Sequence, residues 1–567
     1  MTQAITRLRV DDEAFLVSSL IERCPKVMML RELVQNALEA AQLAPDGARR
    51  VEILPVLVGS ARKLAIRNTG PGMSAEQLFR MCDLAASIGK AKSLDGNFGM
   101  GAKVASLPAN PLGLRYRSCH AGRVHEVVIG KRDGVYGRVR RTDPLTSRGV
   151  DVLDATGAAR ADGLSLAADW TEVVLLGAHA EQDTVADPFD GTPAMPADWI
   201  AAGLYGRFYR LPLGVALLLH EGTHRLAGTQ PFAPLAARGA AFARYEPVAV
   251  ADGILLHYTF DPADPERGGR NRSERGALQD AGGFAALAFR DELYDRRDGW
   301  MWAHAGPRFG IAFGAQHFSV VVELPHDAPV LADGYRQFLR YADGEQRHVE
   351  VTDFAALVAA HRPAWLLDQL RALGPDARVA DTVREELASL FRGLGVRRVS
   401  RAPATPPTEA AAVARKAPDD TLPPEASQAV EESEVAPEVV LLRDARHVHD
   451  RLLDGRAANY DAASHALFVN LRYPAFAAMR ETLITEHAGY PDHARLGAAA
   501  QDAVEHTAVR RIGRALVHGI AKRETSPGWN TWQLQAAVSP EALTLAADDY
   551  LWSLPEARGH LARALAS

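Results

Sequence analysis

The sequence has little cysteine, no long apolar run and no excess of positive charge. Its three cysteines, Cys24, Cys82 and Cys119, lie far apart, which excludes a disulfide scaffold or a thiolate zinc cluster and favours a reducing compartment. The longest apolar stretches, such as 215–219, fall far short of the ~20 residues that cross a bilayer, and no secretory signal pattern begins the chain. A net charge of −6 provides no global attraction to nucleic acid or lipid. We therefore expect a cytoplasmic protein without membrane contact.

The composition is that of an ordinary globular protein, with 47% apolar and 24% charged residues among 567. Residues 401–438 differ from the rest because they are rich in proline and acidic groups and contain no aromatic side chain. Such a segment buries too little surface to offset its ordering entropy, so we predict a disordered acidic linker. Before it, helical and strand patterns alternate, which predicts an α/β fold; after it, the pattern is mostly helical with one strand-like run at 466–470.

The pattern predicts a helix over 27–41 that carries a polar face beside its apolar stripe. Glu32, Asn36 and Glu39 share that polar face at spacings of four and three residues. A carboxylate and an amide one turn apart could activate a water and bind Mg²⁺ through oxygen. The alternative is an ordinary solvated face of an amphipathic helix.

The next segments predict strands at 51–57 and 63–67, a helix over 75–86 and a glycine-containing loop over 87–101. Asn68 ends the second strand and is followed by Gly70 and Gly72, where a backbone without Cβ could approach a flat ligand. A strand–turn–helix connection with no ligand is the alternative. Before the short helix predicted to begin at 101, glycines and lysines form a candidate phosphate site: Lys90, Lys92, Gly96, Gly99, Gly101 and Lys103.

The order of these segments is more specific than any one of them. They read E-x-x-x-N on a helix, N-x-G-x-G-M after a strand, and G-x-F-G-x-G-x-K before a helix. This order resembles the GHKL ATPase superfamily, which includes gyrase B, MutL, the heat-shock chaperone of ninety kilodaltons, MORC proteins and histidine kinases. The glycine-rich segment looks closest to the MORC and chaperone branches. The resemblance covers about residues 10–177 and includes Thr171 at the start of a predicted strand.

The resemblance implies a role for each matching residue. Glu32 would be the general base that polarises the attacking water, and Asn36 would bind Mg²⁺. The adenine of ATP would lie among one set of residues: Asn68, Gly70, Gly72, Met73 and Thr171. The phosphates would be wrapped by a second set: Lys90, Lys92, Gly96, Phe98, Gly99, Gly101 and Lys103.

The resemblance also implies a domain order. Residues 1–195 would form a Bergerat-type α/β sandwich that binds ATP, and 196–400 an α/β transducer-like domain with a helical end. The linker at 401–438 would lead to a mostly helical C-terminal domain over 439–567. The implied function is an Mg-dependent ATPase that forms a homodimer when nucleotide binds and acts as a clamp on a protein or nucleic-acid client.

One departure from the family pattern affects the adenine-binding site. The family normally has aspartate where this chain has Asn68, and the amide lacks the charge that strengthens a hydrogen bond to the adenine amino group. We expect adenine binding weakened by about 1–2 kcal/mol, or a shifted base preference. The alternative function is therefore a nucleotide-sensing scaffold with little or no turnover.

A separate motif, H-E-x-x-H, occurs at His220 and His224. It binds zinc only on a helix, which aims both histidines at one metal. Here it follows an apolar run and has a glycine at its centre, so we predict a strand and a turn without metal.

Overall fold

The computed structural model describes residues 11–83, 101–144, 146–274, 278, 282–311, 314–342, 347–373, 378–394, 397–399, 431–433, 436–526 and 528–566. The chain divides into two compact units. The first comprises residues 1–302 and 316–363, and the second comprises 303–315 and 364–567.

The first unit combines short helices with two large sheets. Its described helices are α1 (Glu13–Glu22), α2 (Met29–Ala41), α3 (Ala75–Met81), α4 (Gly101–Ser106), α5 (Thr156–Ala161), α6 (Trp199–Tyr205), α7 (Gly299–Ala305), which ends in the second unit, and α8 (Ala355–Ala360). The strands up to residue 231 are β1 (Arg50–Val58), β2 (Ala61–Asn68), β3 (Leu114–His120), β4 (Arg123–Arg132), β5 (Val135–Arg138), β6 (Arg141–Thr142), β7 (Gly149–Val150), β8 (Val152–Asp154), β9 (Trp170–Leu175), β10 (Ala216–Leu219) and β11 (Gln230–Pro231).

The first sheet has nine strands, in the order β11-β10-β1-β2-β9-β3-β4-β5, with β8 paired to β4. The pairing of β1 with β10 is parallel, whereas β1–β2, β2–β9 and β3–β9 are antiparallel. Helix α2 packs on β1 and β2, because its apolar residues recur every three or four positions and form one stripe. Val34 and Leu38 from this stripe are buried in one core with Ile53, Leu64 and Ile66 of the sheet.

The second sheet of this unit has five strands, in the order β12-β13-β18-β16-β17. Its neighbours are antiparallel except for β16 and β18, which run parallel. The strands from residue 244 to 341 are β12 (Arg244–Ala249), β13 (Leu255–Phe260), β14 (Ala263–Asp264), β15 (Arg270–Asn271), β16 (Phe284–Phe289), β17 (Glu292–Asp298), β18 (Phe318–Glu323), β19 (Val330–Ala332) and β20 (Leu339–Tyr341).

The second unit is mostly helical around one long helix. Its elements are α9 (Ala364–Leu373), α10 (Arg378–Leu394), β21 (Arg397–Val399), β22 (Glu431–Ser433), β23 (Glu438–Leu442), α11 (Ala445–Asp450), β24 (Ala458–Asp461), β25 (Ala466–Asn470), α12 (Pro474–Glu486), α13 (His493–Thr525), α14 (Thr531–Ala537), α15 (Pro540–Asp548) and α16 (Leu554–Ala566). Helix α13 packs against α10, α12, α15 and α16. Its buried residues Val504, Ile512 and Leu516 therefore form the centre of this core.

The α/β class and the mostly helical C-terminal part are confirmed. The predicted helix over 27–41 corresponds to α2, and the strands predicted at 51–57, 63–67 and 466–470 correspond to β1, β2 and β25. Most of the predicted linker, 401–430, lies outside the described residues; Glu431–Ser433 pair with Arg397–Val399. The proposed division at 195 and 400 stays a prediction.

The H-E-x-x-H segment is a strand end and a turn, as predicted. His220 Nε2 lies 3.3 Å from Glu52 Oε1, and His224 Nε2 lies 3.0 Å from the carbonyl oxygen of Leu219. The two imidazoles thus have separate protein partners. Among the residues that the structure describes, no helix combines the length and apolar character of a bilayer crossing.

Candidate functional site

A cavity of about 370 Å³ opens in the first unit, between α2, the end of β2 and the start of α4. Its apolar walls include Leu33, Ala37, Ile66, Tyr116 and Val173. Small-molecule sites are typically cavities of roughly 300–1,000 Å³ with mostly apolar walls and a few polar groups. Six of the residues implied by the sequence resemblance line this cavity: Asn36, Asn68, Gly72, Met73, Lys103 and Thr171.

A row of polar side chains lies on adjacent strands, and two of its members, Asn68 and Thr171, line the cavity. Asn68 at the end of β2 pairs with Thr171 of β9, which pairs in turn with Ser118 of β3. Residues paired in this way lie on the same face of a sheet. The hydroxyl oxygens of Ser118 and Thr171 lie 2.8 Å apart, and Ser118 also accepts a hydrogen bond from the Met73 N–H. The row therefore holds the turn after β2 against the sheet.

The side chain of Asn68 is buried and partly engaged. Its Oδ1 accepts a hydrogen bond of 3.0 Å from the backbone N–H of Gly70. An amide offers one acceptor oxygen and two donor hydrogens. With one lone pair of Oδ1 used by Gly70, Asn68 presents mainly a donor to the cavity, where aspartate would present a second acceptor oxygen.

The glycines of the turn are required by packing within the protein. A Cβ on Gly72 would lie 1.6 Å from the carbonyl oxygen of Cys119, and one on Gly70 would lie 2.4 Å from that of Ala40. No real Cβ is accommodated at these distances. The turn can therefore approach β3 and the end of α2 only with glycine at both positions, and Gly72 also lines the cavity.

Asn36 is exposed on α2 and lines the cavity together with Glu39. Gln35 donates a hydrogen bond of 3.0 Å to Glu39 Oε1. The amide and carboxylate oxygens at this wall suit a hard cation, because Mg²⁺ is typically held by one or two protein oxygens plus phosphate and water. These residues therefore fit a Mg²⁺–nucleotide complex.

Glu32 is buried and does not line the cavity. One of its carboxylate oxygens faces α4, so closely that a Cβ on Gly101 would lie 1.8 Å from Oε2. Its other oxygen, Oε1, pairs with the guanidinium of Arg31. The implied general base thus lies beside the start of α4, and a side chain at 101 would require its carboxylate to shift.

Arg31 connects Glu32 to the second sheet through a buried ion chain. Its guanidinium also pairs with Glu292, the first residue of β17, and Glu292 accepts a hydrogen bond of 2.6 Å from Arg207 Nε. Burial disfavours the ionised form of Glu292, but the charges of Arg207 and Arg31 outweigh it and lower its pKa. Burial likewise opposes the charge of Arg31, and Glu292 and Glu32 raise the pKa of Arg31 nonetheless. Glu292 and Arg31 are therefore both charged at neutral pH.

Lys103 lines the cavity but donates its hydrogen bonds elsewhere. Its Nζ lies 2.6 Å from the carbonyl oxygens of Met81 and Asp83, at the end of α3. Burial lowers the pKa of Lys103 to about 8. In this arrangement the lysine joins α4 to the end of α3, and contact with a phosphate would require it to leave one of these carbonyls.

Five residues implied by the resemblance lie outside the described residues: Lys90, Lys92, Gly96, Phe98 and Gly99. Their roles stay predictions. Three others, Gly70, Gly101 and Glu32, lie on or next to the elements that form the cavity but do not line it themselves.

Sequence reasoning missed three residues at this site. Tyr116 and Ser118 lie on β3, which the pattern did not predict, and Asp169 accepts a hydrogen bond of 3.3 Å from the Gly72 N–H. Asp169 also accepts one of 3.0 Å from Ala121 N–H, so it ties the glycine turn to the β3–β4 turn. The sequence offers one signal that Asp169 belongs to this site, which is its position two residues before Thr171.

No protein-family model matches this chain, and a search of curated proteins finds no match.

Proposed function

We propose that this chain is an Mg-dependent ATP-binding and ATP-hydrolysing protein of GHKL type. The observation that carries the proposal is the cavity, because residues from three separate sequence motifs line it together: Asn36 from the first, Asn68 and Gly72 from the second, and Lys103 from the third. These residues lie up to 67 positions apart in the sequence. Their convergence is the result expected of a nucleotide site.

In this proposal the apolar walls hold the purine and the polar row orients it. Tyr116, Ile66 and Val173 offer contact to a flat base, while Asn68 and Thr171 provide hydrogen bonds at its edge. Asn36, on α2, would supply an oxygen to Mg²⁺, which when bound neutralises charge on the phosphates.

In the proposed hydrolysis of ATP, Glu32 acts as the general base. Its carboxylate would accept a proton from the attacking water, which requires an oxygen within hydrogen-bond reach of that water. Oε2 faces Gly101 at the start of α4, the end of the segment that the resemblance assigns to the phosphates. Arg31 fixes the other oxygen and so orients the carboxylate.

A second function, nucleotide sensing with little turnover, is favoured by the placement of Glu32. Its carboxylate is buried, does not line the cavity and has one oxygen paired with Arg31, so only the other oxygen could meet an attacking water. Asn68 also favours the sensing function, because it lacks the charge that strengthens a hydrogen bond to the adenine amino group. The two functions differ in phosphate release and share the binding site.

The clamp mechanism predicts a change of mass in solution. With Mg²⁺ and a non-hydrolysable ATP analogue, we expect the full chain to shift from monomer to dimer, because closing the nucleotide site would complete the dimer surface. Light scattering coupled to size exclusion measures this directly, with the same analogue lacking Mg²⁺ as the control. An identical mass in both samples would contradict the clamp and leave ATP binding to be judged by calorimetry.

Replacing Asn68 by aspartate is expected to tighten Mg-ATP binding about tenfold, which corresponds to ~1.4 kcal/mol. Aspartate keeps one oxygen for the Gly70 N–H and offers the second to the amino group of adenine, in place of an amide donor. Titration calorimetry with Mg-ATP measures the change, and Mg-GTP is the control, because its base has an acceptor at that edge and should bind less tightly. Equal changes in affinity for both nucleotides would show that the side chain at position 68 does not contact the adenine base.

A further inference from the structure

We propose that His506, Glu556 and His560 form a binding site for a divalent transition-metal ion of the zinc class in the second unit. An imidazole nitrogen of each histidine and a carboxylate oxygen of Glu556 all lie within 4.8 Å of one another. Two histidines and one carboxylate are a ligand set that zinc uses in proteins, with the fourth position left to water. This site is independent of the nucleotide cavity, which lies in the first unit.

Two packed helices, α13 and α16, bring the three ligands together. Glu556 and His560 are four residues apart on α16, so their side chains share one face of the helix. His506 lies on α13, which packs against α16, and its ring centroid lies 4.3 Å from that of His560. The neighbouring residues Val509 and Ala557 are buried in the core, so the two backbones that carry the ligands are held firmly.

His506 has an unmet hydrogen-bonding requirement in this arrangement. Its Nδ1 is buried and has no hydrogen-bond partner among the described residues. A buried polar atom without a partner costs roughly 1–3 kcal/mol. A metal ion bound through Nδ1 would satisfy this atom and remove the penalty.

The separations of the ligand atoms are compatible with a tetrahedral site. Two ligand atoms about 2.0–2.1 Å from a tetrahedral metal are roughly 3.4 Å apart, and the three ligand atoms here all lie within 4.8 Å of one another. The side chain of Glu556 is 37% exposed, so a change of its rotamer can adjust the position of its carboxylate.

The surrounding charges set the strength of the site. Arg510 pairs with Glu556, and through Nε it also lies 2.7 Å from Glu386 Oε2 on α10. A metal ion would displace Arg510 from Glu556, and Arg510 would keep Glu386 as its partner. Arg563, on the next turn of α16, also acts on His560 and opposes a cation. We therefore expect weaker binding than in sites without nearby arginines.

Zinc binding by the tag-free full-length chain tests the proposal. Equilibrium dialysis against Zn²⁺ alone should show one equivalent bound, and Co²⁺ should give the visible absorption of a tetrahedral site with nitrogen ligands. His506→Ala and His560→Ala should each weaken binding at least about tenfold. The matched control is His518→Gln, an exposed histidine of the same helix, which should leave binding unchanged.

A second variant changes affinity in the opposite direction. Arg510→Met removes the cation that competes for Glu556, so zinc should bind several-fold more tightly. The proposal is overturned if the wild-type chain retains no more zinc than the protein-free control, or if His518→Gln weakens binding as much as His560→Ala. It is also overturned if Arg510→Met, shown to be folded by circular dichroism, binds no more tightly than the wild type.

Discussion

Replacing Glu32 by glutamine is expected to reduce ATP hydrolysis by about 10²–10⁴-fold while changing Mg-ATP affinity by less than threefold. Glutamine has nearly the same shape and still fits against Gly101, but it cannot accept a proton from water. The measurement is phosphate release at saturating Mg-ATP, together with calorimetric binding of the same variant. A loss of turnover without a loss of binding identifies Glu32 as the base.

Glu76→Gln is the matched control for this experiment. Glu76 is an exposed carboxylate in the first turn of α3 and does not line the cavity, so its loss should leave phosphate release unchanged. If Glu32→Gln releases phosphate at the wild-type rate, Glu32 is not the base. The sensing function would then explain the site better, because the pair with Arg31 would hold the carboxylate in a purely structural role.

Replacing Glu292 by alanine is expected to lower the free energy of unfolding of the first unit by about 3–5 kcal/mol. The substitution removes the carboxylate that pairs with both Arg31 and Arg207, and leaves two guanidinium groups buried without their main partner. Removing one partner of a buried ion pair lowers the free energy of unfolding by more than the net contribution of the pair, because the remaining charge keeps its desolvation penalty. Urea denaturation of wild type and variant measures the difference.

Glu22→Ala provides the comparison for a pair at the surface. Glu22 lies 2.7 Å from Lys131 Nζ, and its side chain is 49% exposed, so its loss should cost less than about 1 kcal/mol. Similar losses for Glu22→Ala and Glu292→Ala would show that the buried chain of charges contributes no more than a surface pair. In that case the ion chain from Glu32 to Glu292 would contribute little to the stability of the first unit.

Local structure near the site could be predicted wherever one face of an element is apolar. Helix α2 follows its apolar stripe, and α3 begins at the capping box of Ser74 and Gln77 that the sequence shows. The strand β3 was missed because Arg115 and Arg117 interrupt its apolar pattern. Arg117 can be buried only because Glu126 and Asp162 pair with it, and such partners cannot be found from periodicity.

The site itself could be predicted in part. Asn68, Gly72 and Met73 at the glycine turn follow from a local motif, and they are among the six predicted residues that line one cavity. The ion chain from Glu32 through Arg31 to Glu292 could not be predicted, because Arg31 and Glu292 are 261 residues apart. Contacts at that separation depend on how the second sheet docks, which no local pattern records. The hydrogen bonds of Lys103 to α3 were missed for a similar reason.

The fit between Glu32 and Gly101 ties the identities of these two positions to each other. A Cβ at 101 would lie 1.8 Å from Oε2, so the Glu32 carboxylate would have to shift and its pairing with Arg31 would have to change with it. Homologous chains that keep this geometry should therefore show correlated exchange at the two positions. For redesign, the pair has to be altered as a single unit.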